Sequence, residues 1–131
     1  MKEENIRVYE IIPGENKGVE KVIENTLENL QGEVGGLIDC PYISEDLSKE
    51  KIDMIINDEG KINGLKPNLV LSSEDKIIDI VFGPVIFASY DDEGNFSSLS
   101  ENQVKFIKDR IRFDAWKTTS GERMAGLKVI S

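Results

Sequence analysis

A long apolar run, interrupted by Gly83 and Pro84, limits the folds open to this chain. Residues 77–89 read IIDIVFGPVIFAS and form the most apolar stretch of the sequence. β-Branched and aromatic side chains favour a strand. Proline has no amide hydrogen to donate to a strand ladder, and glycine weakens a strand interior. The run therefore excludes one regular central strand and predicts a bulge, a bend or an edge position at Gly83 and Pro84.

The first half of the chain has clear strand and helix patterns. Residues 6–12 alternate and are rich in β formers, and Pro13-Gly14 ends this predicted strand. Across Val19–Val34 the apolar side chains recur at helical spacing, with glutamates on the opposite face. This pattern predicts an amphipathic helix that Gly35-Gly36 terminates in the left-handed conformation. Leu37–Ile43 then predicts a second strand.

A second helix is predicted by its own capping signals. Residues 44–50 predict a polar loop or a short helical turn, and the alternating residues 52–57 predict a further strand. Ser100 is placed to cap the next helix, and Gln103 occupies the capping-box position. The buried stripe of that helix is predicted to consist of Val104, Ile107 and Ile111.

The order of these elements favours an α+β domain. Short strands and two single helices predict a mixed or mainly antiparallel sheet with both helices on one face. The predicted order is β-α-β-β-β-α, followed by a C-terminal segment. We expect a single domain at residues 1–112 and an appendage at residues 113–131 that ends in a strand at residues 127–130 and docks on the domain.

The side chains that the chain lacks restrict its chemistry. The sequence has no histidine, so the usual general base near neutral pH and the commonest metal ligand are missing. A single cysteine, Cys40, leaves neither an internal disulfide nor a zinc cluster. It lies in a predicted strand beside Asp39, which favours a buried, inert thiol. We therefore expect a chain that is not an enzyme and uses no cofactor or metal.

Charge is strongly negative and unevenly distributed. The net charge is −9; residues 1–100 carry nine basic and 21 acidic side chains, which leaves −12, and residues 101–131 carry seven and four, which leaves +3. This balance repels a phosphate backbone. An acidic body with a mildly basic end fits docking on a basic protein surface or mimicry of a polyanion. The alternative is that the charge only keeps the protein in solution.

Neither a membrane span nor a signal peptide is predicted. No apolar run approaches the roughly 20 residues that cross a bilayer. The first residues, Met-Lys-Glu-Glu-Asn, are followed by no apolar signal region. We expect a cytoplasmic protein.

Residues 57–68, NDEGKINGLKPN, combine oxygen ligands, lysines and glycines. Neither Gly60 nor Gly94 has the glutamate that an EF-hand loop places at its twelfth position, and Gly60-Lys61 lacks the remainder of a P-loop. Asn57–Gly60 and Asp91–Gly94 each follow a strand and each place acidic residues before a glycine. Both are interpreted as hairpin turns whose polar atoms satisfy backbone groups.

Trp116 is a second candidate contact, because it lies beyond the second helix in the basic segment. An exposed tryptophan there would anchor an interface; the alternative is that it packs against the domain. A second alternative is a small-molecule pocket between Lys61–Asn68 and Gly83-Pro84, where backbone amides of glycine-rich turns would hold an anion. The candidate binding residues are Asn57, Lys61, Asn68, Gly83, Trp116 and Arg123.

The order of several short motifs resembles the family labelled domain of unknown function 3846. The motifs are Asn25–Gln31, Val34-Gly35-Gly36, Ile56–Lys61, Gly64-Leu65, Pro67-Asn68, Gly83 and Ser98-Leu99-Ser100. The resemblance spans about residues 6–111 and implies one compact domain found in phages, plasmids and Gram-positive genomes, without assigned catalytic residues. Pro84 departs from the small or β-branched residue expected after Gly83, and the chain from about Phe113 lies outside the resemblance.

These observations lead to three hypotheses about function. The first is a non-enzymatic phage or mobile-element accessory protein that binds a basic host or defence protein, such as a nucleic-acid-binding enzyme that it inhibits. The second is a small-molecule or nucleotide-signal binding module. The third is an enzyme that uses carboxylates or Cys40.

Overall fold

The computed structural model describes residues 2–15, 17–74 and 76–129. Within these residues the chain forms three helices and ten strands. The helices are α1 (Leu27–Val34), α2 (Glu45–Lys49) and α3 (Glu101–Arg110). The strands are β1 (Asn5–Ile11), β2 (Gly18–Glu24), β3 (Ile38–Asp39), β4 (Ile52–Asn57), β5 (Pro67–Ser73), β6 (Lys76–Phe82), β7 (Val85–Tyr90), β8 (Phe96–Ser97), β9 (Ile111–Lys117) and β10 (Arg123–Lys128).

The strands form two separate sheets. The first sheet has six strands in the order β2-β1-β7-β4-β3, with β8 paired to β7, and all of its described pairs are antiparallel. The second sheet has four strands in the order β6-β5-β10-β9. Its β5 and β10 run parallel, whereas its other two described pairs are antiparallel. The α+β class predicted from the sequence is therefore confirmed.

Two hydrophobic clusters lie on opposite faces of the first sheet. The larger joins side chains of both sheets, such as Phe87 and Leu127, with side chains of α2 and α3. The smaller lies between the first sheet and α1, where Leu30 and Val34 of the helix meet Ile55. The predictions of a single sheet, of two helices on one face and of the order β-α-β-β-β-α are wrong. The described chain has two sheets and three helices, and α1 lies on one face of the first sheet while α2 and α3 lie on the other.

The structure confirms the capping residues that were predicted for the helices. Ser100 caps α3 and forms the predicted capping box with Gln103. Gly35 ends α1 in the left-handed conformation at φ 78°. Residues 44–50 were predicted to form a polar loop or a short helical turn, and they contain the short helix α2.

The prediction of a helix from Val19 is wrong, because residues 18–24 form β2. This strand pairs with β1 over seven residues, from Asn5 opposite Glu24 to Ile11 opposite Gly18. A helix would have buried Val22, which is 66% exposed, whereas Ile23 is buried. The β-branched residues here serve a hairpin with β1, and α1 begins only after Thr26, which caps it.

The segments that follow β4 and β7 have similar sequences but form different connections. Asp91–Gly94 forms the predicted hairpin, since β7 and β8 pair directly and Gly94 has φ 85°. The prediction of a hairpin at Asn57–Gly60 is wrong. β4 and β5 belong to different sheets, so residues 58–66 connect the sheets. Of the strand predicted at Leu37–Ile43, only β3 forms.

The apolar run at residues 77–89 is divided between the sheets. β6 ends at Phe82 in the second sheet, and β7 begins at Val85 in the first. Gly83 has φ 95°, and its amide donates to the carbonyl oxygen of Lys66 at 2.8 Å. The predicted interruption at Gly83-Pro84 is confirmed, and it is the point where the chain changes sheets.

The C-terminal segment belongs to the second sheet. β10 lies between β5 and β9, and its Leu127 is buried between the sheets. The strand predicted at residues 127–130 begins earlier, at Arg123, and residues 130 and 131 lie outside the described residues. None of the helices in the described part of the chain is long and apolar enough to cross a membrane.

Candidate functional site

An acidic groove of about 500 Å³ lies at one end of the first sheet. Asn5 at the start of β1 pairs with Glu24 at the end of β2, so the segments flanking this pair form the groove. The lining residues are Lys2, Glu3, Glu4, Asn5, Glu24, Asn25 and Thr26. Three glutamates against a single lysine give this acidic groove an excess of negative charge.

The buried side chain of Asn25 holds the acidic groove in one geometry. Its Nδ2 donates to the carbonyl oxygens of Glu3 at 2.9 Å and of Phe96 at 3.1 Å. Its backbone amide donates to the carbonyl oxygen of Glu4 at 2.8 Å. These three bonds join the N-terminal segment, the β2–α1 link and β8. Because a buried donor without a partner is costly, they keep the walls in place.

The glutamates of the acidic groove differ in their surroundings. Glu3 accepts hydrogen bonds from the Ser98 backbone amide at 3.2 Å and from its Oγ at 2.8 Å. Glu4 and Glu24 are exposed, and neither is in an ion pair within the described residues. Unpaired carboxylates on a shaped surface attract cationic groups. The groove is therefore suited to basic side chains.

A neighbouring charged cluster has a structural role. Lys21 Nζ on β2 lies 2.6 Å from Glu10 Oε1 on β1 and 2.7 Å from Glu33 Oε2 on α1. Burial raises the pKa of the Glu10 carboxyl, and the Lys21 ammonium opposes that rise. The cluster attaches α1 to the edge of the first sheet.

Asn57 and Asn68, two predicted binding residues, face the interior. Asn57 Nδ2 donates to the Val34 carbonyl oxygen at 3.0 Å, and its Oδ1 accepts from the Glu59 amide at 2.8 Å. Asn68 Nδ2 donates to the carbonyl oxygens of Ile11 and Gly83, each at 2.9 Å. The interpretation that polar atoms of residues 57–68 satisfy backbone groups is confirmed for both side chains.

Lys61 and Gly83 lie where the loop at residues 58–66 contacts the β6–β7 turn. Lys61 is exposed, with its Nζ 5.2 Å from the centre of the Phe82 ring. A Cβ on Gly83 would lie 2.7 Å from Leu65 Cδ1, so the loop packs closely on this turn. The adjoining hollow of about 320 Å³ is lined by residues 56–62 and 79–82 and includes neither Asn68 nor Gly83.

Trp116 and Arg123 lie on the β9–β10 hairpin. Trp116 is 37% exposed and pairs with Met124, the neighbour of Arg123. Arg123 Nη1 is 3.3 Å from Asp114 Oδ2. The structure therefore places the six predicted residues in two groups, one around the loop at residues 58–66 and one on the second sheet.

Sequence reasoning missed the acidic groove. Glu3, Glu4 and Glu24 come together only because β1 and β2 form a hairpin. Pro13-Gly14, followed by β-branched residues, was the available signal. Assigning residues 19–24 to a helix concealed it.

The position of Cys40 differs from the predicted one. It is exposed and lies outside β3, so the prediction of a buried thiol in a strand is wrong. Partial removal of its thiol from water, together with Asp53 and Asp39, raises the pKa of Cys40 to about 11. The thiol therefore stays protonated near neutral pH.

Comparison with known proteins identifies the family of this chain. A family model described as "Domain of unknown function (DUF3846)" matches residues 6–112, which agrees with the resemblance predicted from the motifs. Searches of curated proteins and of solved structures gave no match. Since the family model covers most of the 131 residues, the chain belongs to the DUF3846 family.

Proposed function

We propose that this chain is a non-enzymatic accessory protein of a phage or mobile element that binds a basic surface of a host or defence protein. The acidic groove carries this proposal. It combines exposed carboxylates on Glu4 and Glu24 with walls that Asn25 holds in position. A lysine or arginine of a partner fits between such carboxylates, and a preformed site loses little entropy on binding.

The charge of the whole chain supports the same kind of partner. A net charge of −9 accelerates encounter with a basic protein and discourages encounter with nucleic acid. Enzymes that bind nucleic acids present basic grooves to phosphates. A defence enzyme of that class is therefore the partner that we favour, and occupation of its groove would inhibit it.

The test removes two charges from the acidic groove without changing side-chain size. The double variant Glu4→Gln/Glu24→Gln is compared with the wild-type chain as bait for bacterial lysates at low salt. The captured protein is then purified, and its Kd is measured by calorimetry. Exposed ion pairs contribute roughly 0.2–1 kcal/mol each, so we expect the double variant to bind about 2- to 30-fold more weakly.

The matched control is Asp58→Asn/Glu59→Gln. These acidic residues are exposed and follow β4, at the opposite end of the first sheet from the acidic groove. The control also removes two negative charges, so it leaves binding unchanged if the groove is the contact. Equal weakening by both double variants, or a partner that both bind as tightly as wild type, contradicts the proposal.

A further inference from the structure

The outer face of the second sheet is the face that points away from the core shared with the first sheet. It carries buried apolar side chains, but within the described residues no helix covers it. The buried side chains of α1, α2 and α3 all belong to the two hydrophobic clusters. Val70 and Met124 are also buried, yet they belong to neither cluster. Val70 pairs with Ile80 and Gly126, and Met124 pairs with Trp116, so these side chains share the outer face.

A bulge in β9 brings the tryptophan opposite Met124. The pairing of β9 with β10 shifts register between Met124 and Gly126, and Asp114 in the bulged stretch has φ 56°. The ion pair from Arg123 to Asp114, at 3.3 Å, connects this stretch to β10. Bulges redirect side chains and recur beside functional sites. Here the bulge brings the indole of Trp116 over Gly126.

Gly126 leaves the space in which the indole lies. A Cβ on Gly126 would be 2.9 Å from Trp116 Nε1 and 3.2 Å from its Cδ1. A cleft of about 260 Å³ remains beside the indole. This Trp116 cleft is lined by Ser72, Glu74, Arg112, Ala115, Trp116, Gly126 and Lys128. Its volume is slightly below the usual range of ligand pockets, so it suits only a small molecule.

The Trp116 cleft is basic within an acidic protein. Arg112 and Lys128 are exposed, and neither is in an ion pair within the described residues. Arg112 Nη1 donates to the carbonyl oxygens of Asp109 and Ile111, both at 3.1 Å, which holds its guanidinium at the end of α3. Glu74 supplies one opposing carboxylate. Two cations against one carboxylate favour an anion.

We propose that the Trp116 cleft binds a small planar aromatic anion. The ring stacks on the indole of Trp116, and the anionic group meets Lys128 and the guanidinium of Arg112. Both a nucleoside monophosphate and an aromatic carboxylate have this chemistry. Trp116 and Lys128 lie outside the range that the family model matches, whereas Arg112 lies inside it, so the cleft combines residues from within and beyond the matched range. The binding is independent of the acidic groove.

The single tryptophan of the chain is a direct reporter of this site. Its fluorescence is titrated with AMP and with benzoate, which distinguish the two sources of the ligand. Adenosine supplies a ring without charge, and inorganic phosphate supplies charge without a ring. We expect saturable quenching by AMP, by benzoate or by both, and binding about tenfold weaker for adenosine and phosphate.

Charge-removing variants locate the site. Lys128→Gln is expected to weaken binding of the quenching anion by about tenfold, and Arg112→Gln to do the same if it stays folded. Lys117→Gln is the control, because Lys117 is exposed on β9 but does not line the cleft. Absence of saturable quenching by both anions, or equal effects of Lys128→Gln and Lys117→Gln, overturns the proposal.

Discussion

At the scale of single residues, two buried amides position the connections between strands. Asn57 binds the end of α1 to the end of β4, and Asn68 binds β1 to the β6–β7 turn. Their sequence context predicted bonds to the backbone, and that prediction is confirmed. The partners, 23 and 57 residues away for Val34 and Ile11, were not predictable, because sequence spacing does not define contacts across a sheet.

Asn68→Ala is expected to destabilise the chain. The substitution leaves the buried carbonyl oxygens of Ile11 and Gly83 without this donor, so the free energy of unfolding should fall by about 1–3 kcal/mol. Urea denaturation followed by circular dichroism measures the change. Asn63→Ala is the control, since Asn63 is an exposed asparagine in the connection that precedes β5. Equal stability of the two variants would contradict the role assigned to Asn68.

At the scale of elements, local signals predicted helix ends better than they predicted strands. Ser100 and Gln103 form the expected capping box, and Gly35 ends α1 as expected, because caps depend on residues a few positions apart. The start of the first helix was misplaced. Val19, Val22 and Ile23 fit helical spacing, but pairing with β1 decides their conformation. Contacts between distant segments override local propensity here.

Alanine substitutions at Gly32 in α1 and at Gly35, its C-cap, are expected to change stability in opposite directions. Gly35→Ala is expected to cost about 1 kcal/mol, because Gly35 has φ 78° although its Cβ would meet no atom within 4 Å. Gly32→Ala is expected to stabilise the chain by about 0.4–1 kcal/mol, since Gly32 is helical with equally open surroundings. Thermal unfolding of both variants measures the difference. Effects of the same sign would contradict this account of the helix end.

At the scale of the whole molecule, the two sheets depend on each other through one core. Leu69 and Leu127 of the second sheet belong to the same cluster as Met54 and Phe87 of the first. The C-terminal strand β10 lies inside the second sheet and pairs in parallel with β5. Such a parallel pairing between distant segments leaves little signal in the sequence.

A chain that ends at Thr118, without β10, is expected to lose its cooperative unfolding transition. Removal of β10 exposes the edges of β5 and β9 and removes Leu127 and Ala125 from the core. The control is the full chain with Leu127→Ala, which should lose about 2–5 kcal/mol but still unfold cooperatively. Urea denaturation compares them. A truncated chain that retains its transition would instead support a separate domain at residues 1–112.

The sequence by itself determined the α+β class, the C-terminal end of α1, the start of α3, the interruption at Gly83-Pro84 and the family, because each depends on residues that are near one another or in a fixed order. Only the tertiary structure decided that there are two sheets and that β2 is a strand. It also created the acidic groove and the Trp116 cleft. Both surfaces join side chains that strand pairing brings together across long stretches of chain, and pairing depends on burial that no local pattern records.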